Sequence, residues 1–132
     1  MNLTERQEQE IVIGWARSLE PKYPKLSRLH CSLNGVWLPP KLAKEAKAGG
    51  MVSGVPDLHL PVPMKVGEVV FHGLWIELKS MDGVLSANQK RWLGELNEDG
   101  YAAVCCKGAK AAINVIANYM NINQEDRKLE WL

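Results

Sequence analysis

The sequence predicts an α/β fold in which a small mixed sheet is flanked by helices. Helical signals alternate with short runs of β-forming residues, in the order helix, irregular region, two strands, helix, strand, helix. Helices in that order must cover a small sheet. The 132 residues suffice for one domain with a sizeable core. We expect a single domain over 1–132, with its core at about 5–120 and a tail at 123–132.

The first helix is predicted from Thr4 to about Leu19. Thr4 is a favourable N-cap, and Gln7 three residues later completes a capping box. Val12 and Trp15 begin an apolar face at helical spacing. A charged stretch with two prolines, at 20–24, ends the helix.

Residues 25–53 give the weakest signals. A short strand at 29–33 would be closed by the turn pair Asn34-Gly35. A short helix follows, and Gly49-Gly50 would terminate it. That helix carries three lysines on one face, which is typical of a solvated surface: Lys41, Lys44 and Lys47.

Two strands are predicted in the middle of the chain. The first is Val55–Leu60, which Pro61 and Pro63 break. The second is Val69–Lys79, where β-forming residues alternate with others. Residues 63–68 would be the connection between them.

The C-terminal half predicts a helix, a strand and a helix. Ser86 and Gln89 form a second capping box, which opens a helix to about Asp99. Tyr101–Cys106 is typical of a buried strand, and a last helix follows Gly108. Its apolar side would comprise Ile113, Ile116, Ala117 and Met120. The segment from 124 to Trp131-Leu132 is a frayed tail or a partner-binding segment.

Composition excludes several classes of protein. No apolar run approaches the roughly 20 residues of a membrane helix. The acidic, polar N-terminus is unlike a secretory signal. The three cysteines, two of them adjacent, argue against a disulfide framework and for a reducing cytoplasm. A net charge of +1 does not signal a nucleic-acid partner, so any positive field must be local.

The strand at 74–79 carries the candidate chemistry. Side chains alternate between the two faces of a strand, so Glu77 and Lys79 should project together on one side. Asp57 lies on the preceding predicted strand and would sit beside Glu77 if the two strands pair antiparallel. Two adjacent carboxylates repel each other, and a divalent cation relieves that repulsion. Oxygen ligands of this kind favour Mg²⁺ or Mn²⁺ over zinc. Such a cation activates water and polarises phosphate, which fits phosphodiester hydrolysis.

These residues resemble the PD…ExK nuclease superfamily, and within it the compact, stand-alone VRR-NUC nucleases of phages and bacteria. The resemblance covers about 5–120 and rests on three stretches after the Asn34-Gly35 pair. They are Gly54-Val55-Pro56-Asp57-Leu58, the strand end Ile76-Glu77-Leu78-Lys79, and Ser86-x-x-Gln89-x-x-Trp92 followed by Gly100-Tyr101-Ala102.

The resemblance implies a restriction-endonuclease-like core and a Mg²⁺ or Mn²⁺ site. Asp57, Glu77 and the backbone carbonyl of Leu78 would be ligands, and Lys79 would be the catalytic lysine. A first-helix glutamate would complete the site. The choice lies between Glu5 and Glu8, and we favour Glu5 from the spacing Glu5-x-x-x-Gln9.

Other candidates have structural alternatives. The family places Gln89 near the active site, and Gln89 is also the capping partner of Ser86. Lys47 and Ser53 are weaker candidates for phosphate contact. We expect Trp92, His59 and His72 to be packing or surface residues.

The compact members of the family look like homodimers that resolve four-way DNA junctions. The resemblance therefore implies a structure-specific DNA endonuclease, acting in the cytoplasm of a bacterium or of a phage-infected host. Alternatives are a nuclease for flaps, other branched DNA or RNA, and a binding module that holds branched DNA without cutting it. A redox or metal-sensing role for Cys105-Cys106 is disfavoured, because adjacent strand residues point to opposite faces.

Overall fold

The computed structural model describes residues 2–34 and 36–129. Its helices are α1 (Glu5–Ser18), α2 (Pro40–Ala48), α3 (Ala87–Glu98) and α4 (Ala109–Met120). Its strands are β1 (His30–Cys31), β2 (Leu58–Leu60), β3 (Met64–Val66), β4 (Val69–Phe71), β5 (Leu74–Lys79) and β6 (Ala102–Lys107). Two 3₁₀ turns lie at Pro24–Arg28 and Gln124–Arg127.

Four strands form the main sheet in the order β1-β2-β5-β6. The β1–β2 and β2–β5 pairs are antiparallel, whereas β5 and β6 are parallel and are joined through α3. The predicted small mixed sheet flanked by helices is therefore confirmed.

The two faces of the sheet belong to two apolar clusters. One face, with α1 and α4, forms the main core, which includes Leu74, Ile76 and Leu78 of β5. The opposite face packs Trp75 against α3. The alternation predicted for β5 is confirmed, because Glu77 and Lys79 share the face of Trp75. The adjacent cysteines divide in the same way, with Cys106 in the main core and Cys105 beside the smaller cluster.

Both predicted capping boxes are present. The Thr4 hydroxyl accepts from the Gln7 backbone N–H at 3.1 Å, and the Gln7 side chain accepts from Thr4 N–H at 2.9 Å. Ser86 and Gln89 make the same exchange at α3. Each box satisfies N–H groups that have no partner within the helix. The predicted α2 is also confirmed, with its three lysines exposed to solvent.

The prediction of one strand over Val69–Lys79 is wrong. The segment divides into β4 and β5, and β4 pairs with β3 in a separate two-stranded hairpin. The hairpin turns on Gly67, whose φ of +61° suits a two-residue turn. The supposed connection at 63–68 therefore contains a strand. Gly73 separates β4 from β5, at a point where a Cβ would lie 3.2 Å from the carbonyl oxygen of Leu60.

Three further predictions need correction. The strands predicted at 29–33 and 55–60 are shorter, at His30–Cys31 and Leu58–Leu60, so Asp57 immediately precedes its strand. The segment at 124–129 is not frayed. Its 3₁₀ turn docks on α1, where the Trp15 indole N–H donates to the carbonyl of Asp126 at 2.8 Å. Gly35 of the predicted turn pair and the Trp131-Leu132 end lie outside the described residues.

No helix in the described part of the chain is long and apolar enough to cross a bilayer.

The loop before Asp57 is held against the first turn of α3. Gly54 has a φ of +94°, and a Cβ built there would lie 2.8 Å from the Asn88 Cβ and 2.9 Å from the Asn88 backbone. Backbone as well as side chain therefore excludes a larger residue. This contact fixes the approach of residues 54–57 to the sheet.

We predict that Gly54→Ala lowers the free energy of unfolding by about 2 kcal/mol or more, because it combines an unfavourable φ with a backbone clash. Chemical denaturation measures the change. Gly94→Ala in α3 is the matched control, since nothing lies within 4 Å of its added Cβ. It should gain about 0.5–1 kcal/mol, as alanine does over glycine in a helix. Equal stability of the two variants would contradict the close approach.

Candidate active site

Asp57 is bonded to the backbone of β5. The Leu78 N–H donates to Asp57 Oδ2 at 2.8 Å, between the residues Glu77 and Lys79. The β2–β5 register pairs Leu58 with Ile76, so its continuation places Asp57 opposite Glu77. The antiparallel pairing anticipated from the sequence thus brings the two carboxyl groups together.

Glu77 is buried, with 2% of its surface exposed. Burial, a hydrogen bond with Asp57 and the negative charge of Asp57 raise the pKa of Glu77 from 4.5 to about 9. The positive charge of Lys79 acts in the opposite direction but does not offset them. The Glu77 carboxyl therefore holds its proton to a higher pH than an ordinary glutamate does. A second positive charge at this point would release that proton.

Lys79 is nearly enclosed, with 12% of its side chain exposed. Its Nζ lies 3.8 Å from Glu5 Oε1, so the first turn of α1 supplies its charge partner. Lys79 thus stands between the acid pair and a third carboxylate. The positive charge of the Lys79 ammonium therefore acts on the acid pair.

The two candidate glutamates of α1 occupy different environments. Glu8 Oε2 accepts a hydrogen bond from the Ala109 N–H at 2.6 Å, so this carboxylate caps the first turn of α4. Glu5 is half-exposed and contacts Lys79 at the site. The position of Glu5 supports the choice made from the sequence.

A cleft of about 630 Å³ opens beside the acid pair. Asp57, Leu78 and Glu5 line it together with residues of α1 and of the loop after β1: Arg6, Gln9, Cys31, Ser32, Asn34, Val36 and Trp37. The N–H and C=O of one strand residue point to the same edge. The Leu78 carbonyl is therefore directed toward the Asp57 side, beyond the last β2–β5 pair.

The donor atoms fit a hard divalent cation. Asp57, Glu77, Glu5 and the Leu78 carbonyl offer oxygen only, which favours Mg²⁺ or Mn²⁺. Within 2–34 and 36–129, no three His, Cys, Asp or Glu side chains already form a metal-binding group. The backbone carbonyl would therefore have to complete the set around the acid pair.

No described hydrogen bond joins the remaining predicted site residues to the acid pair. Gln89 uses its amide oxygen to accept from Ser86 N–H at 2.8 Å, and no described hydrogen bond joins Gln89 to Asp57, Glu77 or Lys79. Lys47 and Ser53 line a separate cavity of about 200 Å³, which shares Asn34 and Val36 with the main cleft.

The histidines occupy packing or surface positions, as expected. His59 stacks on Trp75 at 3.7 Å between ring centroids, and burial with the nearby His30 charge lowers the pKa of His59 to about 4. His72 is exposed and lies edge-on to Tyr101. Trp92 packs against the smaller apolar cluster.

Sequence reasoning missed the cleft residues Arg6 and Trp37, and the function of Asn34. The Asn34 amide donates to the carbonyls of Val52 and Val55 at 2.7 and 3.4 Å, so it fastens the loop that leads to Asp57. None of these contacts has a local signal, because each depends on chain segments brought together by the fold.

Comparison with known proteins agrees with this geometry. The family model of the VRR-NUC domain matches residues 2–110. A solved structure described as a VRR_NUC domain protein superposes with a TM-score of 0.70 and 27% identity, covering 93% of each chain. No curated protein matches the sequence significantly.

Glu5 and Glu8 form a matched pair for substitution. We predict that Glu8→Ala lowers the free energy of unfolding by about 0.5–2 kcal/mol, because the first turn of α4 loses its cap. Glu5→Ala should leave unfolding nearly unchanged and weaken Mn²⁺ binding, measured by calorimetry. The reverse assignment, with Mn²⁺ binding lost in Glu8→Ala alone, would show that Glu8 is the helix ligand.

We predict that the metal-free protein loses stability as the pH rises from about 4.5 to about 9. The folded state holds the Glu77 proton to a higher pH than the unfolded chain does, so raising the pH favours unfolding, by at most about 1.4 kcal/mol per pH unit. Mn²⁺ should raise the melting temperature more at high pH than at low pH. Glu77→Gln should flatten the pH profile, and an unchanged profile would exclude Glu77 as its source.

Proposed function

The chain belongs to the VRR-NUC domain family, and we propose that it is a Mg²⁺- or Mn²⁺-dependent, structure-specific DNA endonuclease. The family implies a nuclease with DNA as its substrate. The observation that carries the finer proposal is the pairing of Asp57 with the buried Glu77, beside Lys79. Such a pair is costly for stability alone, because the Glu77 carboxyl is buried next to a second carboxyl group.

A divalent cation compensates that cost when it binds. Asp57 and Glu77 would hold it, with the Leu78 carbonyl and Glu5 completing the oxygen ligands. Bound there, the cation supplies Lewis acidity toward a phosphate oxygen and lowers the pKa of water. The proton that Glu77 holds at neutral pH would leave to solvent, and the carboxylate formed would face the added positive charge.

Lys79 acts on the reacting groups. Its ammonium donates hydrogen bonds either to the attacking water or to the phosphate oxygens on which charge develops. Glu5 Oε1 lies 3.8 Å from the Lys79 Nζ, so this ion pair would position the ammonium. Water attacks phosphorus and releases one proton to solvent, the bond to the 3′-oxygen breaks, and that oxygen takes a proton from solvent. No covalent intermediate with the protein is needed.

The cleft and its surroundings supply positive groups for the DNA backbone. Arg6 lines the cleft, and Lys47 lies in the adjoining cavity with Ser53. Phosphate contacts of this kind position the strand without reading its sequence. A net charge of +1 leaves the positive field local to this surface.

We further propose that the protein acts on four-way junctions as a homodimer. The basis is the resemblance of the sequence to compact VRR-NUC nucleases, which look like homodimers that resolve such junctions. Two active sites related by a twofold axis suit a substrate with twofold symmetry. Light scattering coupled to gel filtration measures the oligomeric state, and a monomer at working concentration would remove this part of the proposal.

We predict that Asp57→Ala and Lys79→Ala each reduce cleavage at least about 100-fold while the circular dichroism spectrum is retained. Lys65→Ala, at an exposed lysine of the hairpin, is the matched control and should cut as the wild type does. Wild-type cleavage by either site variant would place the chemistry elsewhere.

Three labelled DNAs then define the substrate: a linear duplex, a flap and a four-way junction, each with Mg²⁺, Mn²⁺ or EDTA. Paired, metal-dependent cuts in the junction that are absent in Glu77→Gln would support a dimeric resolvase. Flap cutting alone would retain the nuclease and remove the resolvase. Binding of branched DNA without any cutting would favour a non-catalytic module, and a matched RNA substrate tests the choice of sugar.

A further inference from the structure

Trp37 is largely exposed to solvent, although an indole stabilises the fold only when it is buried. It lies in the loop between β1 and α2, with 80% of its surface accessible. Burying an indole contributes strongly to folding, and this side chain contributes little of that. Among the exposed large apolar residues of the described chain, none has a higher exposed fraction.

The position of this indole links it to the candidate active site. Trp37 lines the same cleft as Asp57, Leu78 and Glu5, and Arg6 lines it too. The cleft volume of about 630 Å³ lies within the range of roughly 300–1,000 Å³ typical of small-molecule pockets. A single nucleotide belongs to that size class. The Arg6 Nε–H donates to Glu10 Oε1 at 3.1 Å, and 89% of the Arg6 side chain is still exposed. The cleft therefore offers carboxylate oxygens, an exposed guanidinium and an aromatic face to one ligand.

These groups match the parts of an unpaired nucleotide. Arginine pairs with phosphate, and an exposed aromatic ring stacks on a nucleobase of any sequence. A base within a duplex is already stacked on its neighbours and offers no free face. A second copy of the protein seated on Trp37 would instead cover the cleft that Asp57 and Glu5 line.

We propose that Trp37 is a stacking platform for an unpaired nucleobase beside the scissile phosphate, so that it selects DNA with unstacked nucleotides. This inference rests on the proposed nuclease function. It assigns to one residue the preference for DNA with unstacked bases over continuous duplex DNA.

Binding of two single-stranded probes tests the proposal. The probes are a short oligothymidylate and an abasic oligonucleotide of equal length, whose phosphate backbones are alike. Fluorescence anisotropy is measured in EDTA, so that metal-dependent cleavage cannot intervene. The wild type should bind the oligothymidylate roughly 5- to 100-fold more tightly, the range expected of one base stacked on an aromatic ring.

Trp37→Ala should abolish this base preference, and Trp37→Phe should retain most of it because a phenyl ring also stacks. Val70→Ala, an exposed apolar residue of the separate hairpin, is the matched control and should bind as the wild type does. Equal binding of both probes by the wild type, or a preference that survives in Trp37→Ala, would overturn the proposal. So would a loss of dimer mass in Trp37→Ala with the preference intact, which would identify a subunit contact.

The two proposals fail separately. If the protein cuts no substrate but its base preference depends on Trp37, the nuclease proposal is wrong and the stacking platform remains. Metal-dependent cleavage without any base preference would do the opposite.

Discussion

The hydrogen bond from the Leu78 N–H to Asp57 determines the geometry of the candidate site. It forms where β2 pairing ends, so a backbone donor that would otherwise bond to a neighbouring strand is given to a carboxylate. The same bond places Asp57 against Glu77, which the sheet has already turned away from the main core. The backbone thereby holds the Asp57 carboxyl next to that of Glu77.

Residues outside the acid pair hold the surrounding loop and helix in place. Gly54 allows the loop to approach Asn88, and Asn34 fastens the same loop from the other side. The first turn of α1 divides its acids between two tasks, with Glu8 joining helix to helix and Glu5 facing Lys79. The first turn of α1 therefore both caps α4 and places a negative charge beside Lys79.

Local signals account for the parts of the fold and site that the sequence predicted. Thr4 with Gln7 and Ser86 with Gln89 act within three residues of each other, so their helices are legible without tertiary context. The alternation along 74–79 is likewise local. The division at Gly73 was missed because β-forming residues continue on both sides, and only the approach of the Leu60 carbonyl explains the break.

Long-range placement accounts for what was missed at the site. Trp37 and Arg6 meet at one cleft from segments with no shared motif, and residues 25–53 carry few periodic signals. Glu5 and Glu8 make different contacts because Glu8 reaches Ala109. Helical spacing does not predict where Ala109 lies.

The family match and the folded unit end at different places. The match stops at residue 110, just inside α4, yet Ile113, Ile116 and Tyr119 fill the main core. Beyond them, Asp126 holds the indole of Trp15. A fragment cut at the boundary of the shared pattern would keep every candidate ligand and lose the layer that supports them. The family match therefore covers the candidate ligands, whereas the stability of the fold also depends on residues beyond the match.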